Sequence, residues 1–392
     1  MSRRPIVLSP DLTRLQNEGY DLELRGEGGL LLVKDVPYVN AQRQVHRGTL
    51  IIKLTLAGNV AVKPADHVAY WSGEHPCHHD GRKITAFENP SPAQNLGDGV
   101  LADFMFSAKA DYRDYHHKVT TYVGRITAEA QQLQPEASAQ TFPAIPEDAE
   151  QSVFKFADTA TSRAGIGTVN ARLKGHKIGI VGAGGNGAYV LDLVAKTPVA
   201  EIHLFDGDVF SQHNAFRAPG AATLERLLAK PQKVAYYESI YSNMRHGLFP
   251  HNVFLDETNI RLLDELDFVF LCLDNGTSKH LVVDRLISQS IPFVEAGMGI
   301  VLADNRLGGI VRIVASTAST REQAAPHISY SPNDGAVNEY ATNIQVAELN
   351  ALSAALAVIR WKKIMGVYQD TREHFYLGYS LTSGEIIGEG LK

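Results

Sequence analysis

The stretch Lys177–Gly187, which reads KIGIVGAGGNG, decides the fold. An apolar, strand-like run is followed by Gly182, Gly184, Gly185 and Gly187, and then by a helical pattern. Glycines at such a turn permit a tight bend, let backbone N–H groups approach a phosphate, and let the helix pack closely on the strand. The first N–H groups of the helix then attract an anion. The pattern predicts a nucleotide-binding βα unit, and it fits NAD, FAD and ATP alike.

The residues that follow Leu173 alternate between short apolar runs and amphipathic stretches, which is typical of a parallel α/β sheet. We therefore predict an α/β fold, with a Rossmann-like, mostly parallel sheet in a domain over residues 152–392. The predicted strands are Lys177–Val181, Glu201–Phe205, Val253–Leu255, Phe268–Leu273 and Pro292–Glu295. The predicted helices are Asn186–Ala195, Gln232–Met244, Ser278–Ser290 and Val337–Gly366, and Phe375–Ile387 is a predicted closing hairpin.

The first part of the chain has a different pattern, with β-branched runs separated by glycine-containing turns. Tyr20–Leu24 and Leu30–Val33 predict a hairpin, and His117–Arg125 predicts a further strand. Residues 1–127 are therefore predicted to form a smaller, β-rich domain. Residues 128–151 are rich in Ala, Gln, Pro and Glu without a sustained apolar period, so we predict a linker there.

Composition excludes several classes of protein. The 392-residue chain has 37 Lys and Arg against 43 Asp and Glu, a formal net charge of −6, so no nucleic acid is expected as the main ligand. No stretch approaches the roughly 18 apolar residues of a bilayer span, and no signal-peptide-like run is present, so we expect a cytoplasmic protein with no membrane association. Two cysteines, Cys77 and Cys272, are too few for a disulfide framework or a four-cysteine zinc site.

Polar residues at the predicted strand ends distinguish among the nucleotides. Asp206 closes the strand after the glycine turn, at about the spacing where a carboxylate holds a ribose hydroxyl. Further polar residues of this kind are Asn214, Arg217, Lys233, Asp274 and Asn275. In a parallel sheet these positions lie at the carboxyl edge of the strands or just beyond it, where ligands bind.

This set of residues favours ATP. Two cations beside a glycine loop suit a triphosphate whose charge grows during transfer. A carboxylate at a neighbouring strand end suits Mg²⁺, which takes one or two carboxylates together with phosphate oxygens. An NAD-dependent oxidoreductase needs neither feature, and it stays a minor alternative.

Together these residues resemble the ThiF/MoeB-type adenylyltransferases, the family that includes the adenylation domains of ubiquitin-activating enzymes. The resemblance covers residues 155–370. Ser162-Arg163, ahead of the first strand, is similar to the N-terminal arginine of the family. The other matching features are GAGGNG at 182–187, D-x-D-V at 206–209, Asn214, Arg217, Lys233, and a strand followed by DN at 270–275.

The resemblance implies a role for each matching residue. Those implied to bind the nucleotide are Gly182, Gly184, Gly185, Gly187, Asp206, Asp208, Asn214 and Asn275. Those implied to act in catalysis are Arg217, Lys233, Asp274, which would also hold Mg²⁺, and Arg163, which would reach into a partner subunit's site. The implied protein is thus a homodimer. The implied reaction is attack by a carboxylate, usually the C-terminal glycine of a ubiquitin-like protein, on the α-phosphate of ATP, which yields an acyl-adenylate and pyrophosphate.

The sequence departs from the family in two respects. It lacks the paired CxxC motifs that often hold a structural zinc, and residues 296–345 contain no cysteine where many members have a catalytic one. The adenylate is therefore passed directly to a partner or to an unusual acceptor. Hydroxyl residues in that segment are Ser316, Thr317, Ser319, Thr320 and Ser331. Cys272, inside a predicted buried strand, is expected to be a packing residue.

His75–Gly81, which reads HPCHHDG, is the unusual feature of the N-terminal region. Its side chains are possible metal ligands, although their spacing matches no standard zinc pattern. Alternatively, Cys77 is an acceptor thiol, since neighbouring histidines can lower a thiol pKa, or the segment is a polar loop. The region resembles an uncharacterised domain found ahead of ThiF-type domains in bacterial proteins encoded near ubiquitin-like and conjugating-enzyme-like partners. This resemblance implies recruitment of the protein substrate or of a conjugating partner.

We therefore predict a ubiquitin-like-modifier-activating adenylyltransferase that uses ATP and Mg²⁺ in a bacterial ubiquitin-like pathway. Two alternatives stay open: adenylation of a small-molecule or tRNA carboxylate, and a catalytically inactive dimeric scaffold. The presence of Arg217, Lys233 and Asp274 together argues against the scaffold.

Overall fold

Two compact units make up the computed structural model, which describes residues 4–26, 29–150, 152–273, 276–330 and 344–391. The first unit contains Met1–Ile145 with Ser162–Ala164, and the second contains Pro146–Thr161 with Gly165–Lys392. Among the described helices, none combines the length and the apolar composition that a bilayer span requires. The predicted α/β fold, a mixed and mostly parallel sheet preceded by a β-rich region, is confirmed.

The first unit is built on an antiparallel sheet. Its strands are β1 (Leu22–Arg25), β2 (Leu30–Val39), β3 (Val45–Lys53), β4 (Leu56–Ala57), β5 (Val60–Ala61), β6 (Val68–Ser72), β7 (Glu88–Asn89), β8 (Gln94–Asn95), β9 (Leu101–Ala102) and β10 (Phe104–Ser107). Its helices are α1 (Arg4–Leu8), α2 (Pro10–Asn17) and α3 (Tyr115–Leu133). The main sheet has the order β1-β2-β3-β6-β10-β7, and the predicted first hairpin corresponds to β1 and β2.

Helix α3 packs on the core of this unit, and it corrects the sequence prediction. The strand predicted at His117–Arg125 is wrong, because the β-branched residues there lie on a helix whose apolar residues recur at helical spacing. Asp114 caps this helix by accepting a hydrogen bond from the His117 N–H at 2.7 Å. The helix continues to Leu133, through the domain boundary predicted at residue 127. The buried apolar face consists of Tyr115, Val119, Tyr122, Val123, Ile126 and Ala130.

The second unit is built on a mixed sheet. Its strands are β11 (Lys177–Val181), β12 (Glu201–Phe205), β13 (Leu248–His251), β14 (Phe268–Leu271), β15 (Phe293–Ala303), β16 (Arg306–Ser316), β17 (His374–Ser380) and β18 (Ile386–Gly390). Its helices are α4 (Thr159–Ala164, which ends in the first unit), α5 (Gly167–Asn170), α6 (Gly185–Ala195), α7 (Gln212–Ala215), α8 (Leu224–Leu228), α9 (Lys233–Tyr241), α10 (Gly276–Ser288), α11 (Arg321–Ala324) and α12 (Ala347–Ile364).

The order of this sheet is β13-β12-β11-β14-β15-β16-β17-β18, parallel from β13 to β15 and antiparallel from β15 to β18. The chain leaves β11 through α6 toward β12 and later returns to β14 on the other side of β11. The strand order therefore reverses at β11. Ligands in such sheets bind at the carboxyl ends of the strands beside the reversal, and the glycine turn lies there.

Both faces of the parallel part are buried, which explains the continuous apolar runs of β11 and β14. One apolar core joins the sheet to α6, α9 and α12, and another joins it to α10 and to Ile260–Leu263. The strand predicted at Val253–Leu255 is wrong, since the strand in this part of the chain is β13. Val253 and Leu255 belong to the loop after β13, and their side chains pack against the second core. The predicted C-terminal helix begins at Ala347 in the described part, and its predicted residues 337–343 lie outside the described residues.

Candidate functional site

The glycine turn between β11 and α6 has no room for a side chain at Gly182 or at Gly187. Gly182 has a φ of +93°, and a Cβ there would lie 2.5 Å from the Cys272 carbonyl oxygen. A Cβ at Gly187 would lie 1.8 Å from the Gly182 carbonyl oxygen. Side chains at these positions would push apart β11, β14 and α6. The two glycines therefore let the three elements meet at one corner of the sheet.

The start of α6 offers backbone donors beside open space. The first hydrogen bond of the helix ladder runs from the Ala188 N–H to the Gly184 carbonyl at 2.9 Å, so earlier N–H groups of the helix lack ladder partners. The first turn contains no acidic residue. A Cβ built at Gly184 would meet nothing within 4 Å. This helix start can therefore accept an anion without a change in the backbone.

The carboxylate of Asp206 is held against the glycine turn. Its Oδ2 accepts a hydrogen bond from the Ala183 N–H at 2.7 Å, and its Oδ1 accepts one from the Asp208 N–H at 2.8 Å. These bonds fix the side chain at the end of β12, directly across from the predicted phosphate site. Each carboxylate oxygen can accept more than one hydrogen bond, so Asp206 keeps capacity to accept a hydroxyl.

Lys233 joins the two aspartates. It begins α9, is 5% exposed, and places its Nζ 2.7 Å from Asp208 Oδ2 and 3.4 Å from Asp206 Oδ2. A buried ammonium group is stable only when its charge is paired, and the two carboxylates provide that pairing. Since an ammonium group has three donors, one remains for a further acceptor such as a phosphate oxygen.

Asn214, the third residue of α7, and Arg217 lie on the segment that leads from β12 to α9. Asn214 completes a capping box by accepting the Ser211 N–H on its Oδ1 at 2.8 Å. Its own carbonyl accepts the Arg217 N–H at 3.1 Å. In the described part of the chain, Asn214 Nδ2 and Arg217 Nε are buried without a hydrogen-bond partner. Unpaired buried donors are costly, so these two atoms favour an anionic or carbonyl ligand.

The pKa of His213 is lowered by its surroundings, which include two nearby cations. Burial lowers the pKa of this imidazole, and the nearby Arg217 and Lys233 lower the pKa further against the opposing effect of Asp208. At neutral pH the ring therefore stays uncharged, and it does not add to the charge of the two cations.

A cavity of about 260 Å³ opens at this edge of the sheet. Seven of the predicted binding and catalytic residues line it: Gly182, Gly184, Gly185, Asp206, Asp208, Arg217 and Lys233. Gly187 and Asn214 support the wall from behind, the first by close packing and the second by capping α7. The structure thus brings the glycine turn, both aspartates and both cations together around one space.

Several lining residues were not anticipated. Asn350 of α12 donates from Nδ2 to the Arg217 carbonyl at 3.2 Å and lies so close to Gly185 that a Cβ there would be 2.2 Å from Asn350 Nδ2. Phe254 is 64% exposed and its ring covers Gly207, 2.6 Å from a built Cβ. Asn350 is an isolated polar residue in a mainly apolar helix, but nothing local indicates which part of the fold it contacts, and no sequence pattern indicated Phe254.

Cys272 packs against the core as predicted, but its predicted location inside a buried strand is wrong. The residue follows the last residue of β14 instead of lying within the strand, and it is half-buried. It packs against the core on one side and lines the cavity on the other.

Three predicted catalytic or binding residues are not tested by this geometry. Asp274 and Asn275 lie outside the described residues, although Leu273 and Ser278, which flank that segment, line the cavity. Arg163 belongs to the first unit, where its guanidinium lies 5.3 Å from the ring centroid of Phe142. Their roles in binding Mg²⁺ and in a partner's site remain predictions.

The histidine-rich segment of the first unit is organised by a carboxylate. Glu129 on α3 places Oε1 2.8 Å from His78 Nδ1 and Oε2 2.9 Å from His79 Nδ1. Among the described residues, no three His, Cys, Asp or Glu side chains come together as a metal site. Cys77 is 1% exposed, and burial raises the pKa of its thiol, which argues against the alternative of an acceptor thiol with a lowered pKa.

Replacing Glu129 with alanine is expected to destabilise the first unit by about 1–2 kcal/mol near pH 6. Burial alone would raise the pKa of Glu129, but hydrogen bonds from His78 and His79 outweigh it and lower the pKa to about 2. A carboxyl whose folded pKa is depressed stabilises the fold above its ordinary value of 4.5 and loses this contribution as pH falls toward 2. Urea unfolding at several pH values measures the difference.

Glu136→Ala is the matched control, since Glu136 is an exposed glutamate of the same unit. It should change the free energy of unfolding little at any pH. A Glu129→Ala difference that stays constant down to pH 2 would contradict the interpretation of the His78–Glu129–His79 contacts.

Comparison with known proteins gives two family matches. A family model described as "ThiF family" matches residues 160–386, and one described as "Domain of unknown function (DUF6791)" matches residues 10–159. No curated protein is similar enough in sequence to match the chain.

Solved structures resemble the chain at low identity. E. coli MccB with MccA-N7isoASN is 16% identical with a TM-score of 0.46, over 59% of this chain and 69% of that one. E. coli MccB with AMPCPP and MccA is 17% identical with a TM-score of 0.46, over 63% and 74%. PaaA is 18% identical with a TM-score of 0.43, over 57% and 76%. Likeness at this level says nothing about substrate.

Proposed function

Because the chain belongs to the ThiF family, we propose that it activates the C-terminal carboxylate of a ubiquitin-like protein by adenylation with ATP and Mg²⁺. ATP-dependent adenylation of a carboxylate follows from the family. The ubiquitin-like substrate, transfer to a conjugating-enzyme-like partner, the metal ion and a homodimer with Arg163 acting in the partner's site are the finer parts of the proposal.

The observation that carries the proposal is the charged group at the glycine turn. Lys233 and Arg217 border the same cavity as the open helix start at Gly184, and Asp206 faces them from β12. The unpartnered donor Arg217 Nε, on a residue that lines the cavity, fits a phosphate oxygen. A nicotinamide-dependent oxidoreductase would not require two cations at this position, so the arrangement favours a triphosphate.

The proposed reaction needs no general base. A carboxylate oxygen of the substrate attacks the α-phosphorus of ATP and forms a P–O bond, while the bond from the α-phosphorus to the bridging oxygen breaks and pyrophosphate leaves with its electrons. Because the attacking group is already an anion, no proton has to be removed. The residues of this chain therefore act by position and charge.

Each residue has a defined part in that reaction. The backbone at Gly184–Gly187 receives the phosphates, and Asp206 accepts a ribose hydroxyl. Arg217 and Lys233 neutralise the negative charge that accumulates on the leaving pyrophosphate. Asp274 would hold Mg²⁺, which neutralises phosphate charge when it is bound.

The first unit would recruit the protein substrate or a conjugating partner. It matches a domain family of its own, and its described residues contain no group of metal-binding side chains and no thiol with a lowered pKa. Of the candidate hydroxyl acceptors in the second unit, Ser316 and Thr320 are buried, and Ser331 lies outside the described residues. Thr317 and Ser319 are accessible, but their hydroxyl groups are hydrogen-bonded to each other at 3.1 Å. Direct transfer of the adenylate to a partner is therefore the simpler proposal.

A hydroxylamine trap tests the proposed substrate. The chain is mixed with ATP, Mg²⁺ and a ubiquitin-like protein that ends in an exposed glycine. Hydroxylamine then displaces AMP from an acyl-adenylate, and mass spectrometry detects the C-terminal hydroxamate. We expect hydroxamate on the intact protein and none on the same protein with a C-terminal amide. Hydroxamate on small carboxylic acids but on no ubiquitin-like protein would assign the enzyme to another carboxylate.

A further inference from the structure

A charged cluster lies beside the cavity, outside the group described above. Glu295 on β15 is 1% exposed, and its Oε1 accepts hydrogen bonds from Lys279 Nζ of α10 at 2.5 Å and from Arg312 Nη2 of β16 at 3.0 Å. Lys279 is likewise buried, and the Arg312 side chain is 25% exposed. Two cations thus share one carboxylate, which leaves a net charge of about +1 in a largely desolvated place.

The cluster also has unused hydrogen-bonding atoms. Glu295 Oε2 and Arg312 Nε are buried and have no partner among the described residues. Lys279 alone would neutralise Glu295, so Arg312 is not needed for charge balance. Burying Arg312 with its Nε unpaired costs free energy unless a negatively charged acceptor forms a hydrogen bond with that atom.

The residues that flank Arg312 in the sheet are glycines, so no neighbouring side chain separates it from the cavity. In the sheet, Arg312 pairs with Gly297 of β15 on one side and with Gly378 of β17 on the other. A Cβ built at Gly297 would lie 3.0 Å from Arg312 Nη2, so the guanidinium lies directly against this residue. Gly297 itself lines the cavity. Farther along β15, Gly299 is exposed, and a Cβ there would meet nothing within 4 Å.

We propose that Arg312, held in place by Glu295, binds a carboxylate of the substrate where Gly297 bounds the cavity. The proposal rests on the proposed function, because it places the substrate in the same cavity as the nucleotide. The open glycine backbone of β15 gives an extended chain room to lie against the sheet, and Arg312 supplies the charge that the substrate's carboxylate matches.

This carboxylate has two possible sources in a peptide substrate. One is the C-terminal carboxylate that reacts with ATP, and the other is an acidic side chain a few residues before it. The probes that separate them are N-acetylated pentapeptides that end in Gly-Gly and carry Asp, Ala or Lys third from the C-terminus, together with the C-terminal amide of the Ala peptide. Their binding is measured calorimetrically on the full chain saturated with α,β-methylene ATP, so that turnover is not required.

The variant is Arg312→Gln, which keeps a donor for Glu295 but removes the charge. We expect peptide affinity to fall by about tenfold or more, with the melting temperature and the affinity for the nucleotide analogue unchanged. Arg306→Gln is the matched control, because Arg306 is an exposed arginine of the same strand. It should leave peptide affinity unchanged.

The peptides then assign the source. If Arg312 binds the reacting carboxylate, the amide peptide binds weakly to the unaltered chain, and Arg312→Gln weakens it no further. If Arg312 binds a side chain, the Asp peptide binds more tightly than the Lys peptide, and this preference disappears in Arg312→Gln. Equal affinities in Arg312→Gln and the unaltered chain overturn the proposal, as does binding of none of the peptides at millimolar concentration. Failure of the nucleotide analogue to bind is a different result, which overturns the proposed function as well.

Discussion

Replacing Lys233 with alanine is expected to slow ATP-dependent adenylation by about 100-fold to 1,000-fold, the usual cost of removing one preorganised donor from a developing charge. Lys233 is buried between Asp206 and Asp208, 2.7 Å from the second. In the variant, the negative charges of Asp206 and Asp208 are no longer neutralised by the Lys233 ammonium group. The variant therefore loses the attraction between Lys233 and the phosphates, and the two carboxylates repel the phosphates. Pyrophosphate release at saturating carboxylate measures the effect.

The matched control is Lys174→Ala, which removes an exposed lysine of the same unit. It should release pyrophosphate at the unaltered rate. Lys233→Met fills the same space without the charge, and it should be as slow as Lys233→Ala if charge is the cause. A normal rate in both Lys233 variants would contradict the assigned role.

Replacing Gly184 with valine is expected to weaken ATP binding by about a hundredfold while leaving the fold intact. The backbone at this residue has φ −72° and ψ −160°, which any residue can adopt, and a Cβ meets nothing within 4 Å. Because valine is a poorer N-cap residue than glycine, the free energy of unfolding should fall, but by no more than about 1 kcal/mol. The added methyl groups would occupy the open space at the helix start and prevent charge-assisted bonds worth about 1.5–3 kcal/mol each. Calorimetric titration with ATP and thermal unfolding measure the two effects.

Gly167→Val provides the comparison. Gly167 is also a glycine of the second unit whose built Cβ meets nothing and whose φ is not positive, but it lies on α5. Its substitution should change neither stability nor ATP affinity. If Gly184→Val bound ATP as tightly as Gly167→Val does, the phosphates would have to lie elsewhere in the cavity.

Much of the nucleotide-binding unit could be predicted because its determinants are local. The strand, the turn and the helix of Lys177–Ala195 follow one another in sequence, and the close contacts at Gly182 and Gly187 make glycine obligatory there. Asp206, Arg217 and Lys233 follow predicted strands of a parallel sheet, whose carboxyl ends lie at the same edge. Their common location at that edge could therefore be predicted.

Features that depend on distant contacts could not be predicted. The β-branched residues of α3 favoured a strand, and only packing against the antiparallel sheet makes the helix. Asn350 reaches the glycine turn from a helix more than a hundred residues away in the sequence. The contact between Glu295 and Arg312 depends on the register of two paired strands, which no local pattern specifies.

Exchange of labelled pyrophosphate into ATP tests the central claim most directly, because it requires reversible formation of an acyl-adenylate. The reaction contains the full chain, ATP and Mg²⁺, with or without a ubiquitin-like protein that ends in an exposed glycine, and an Asp274→Ala variant is run beside it. We expect exchange that requires the ubiquitin-like protein and disappears in the variant. A chain that binds ATP but catalyses no exchange with any carboxylate would be a scaffold, and one that does not bind ATP would contradict the assignment of the site.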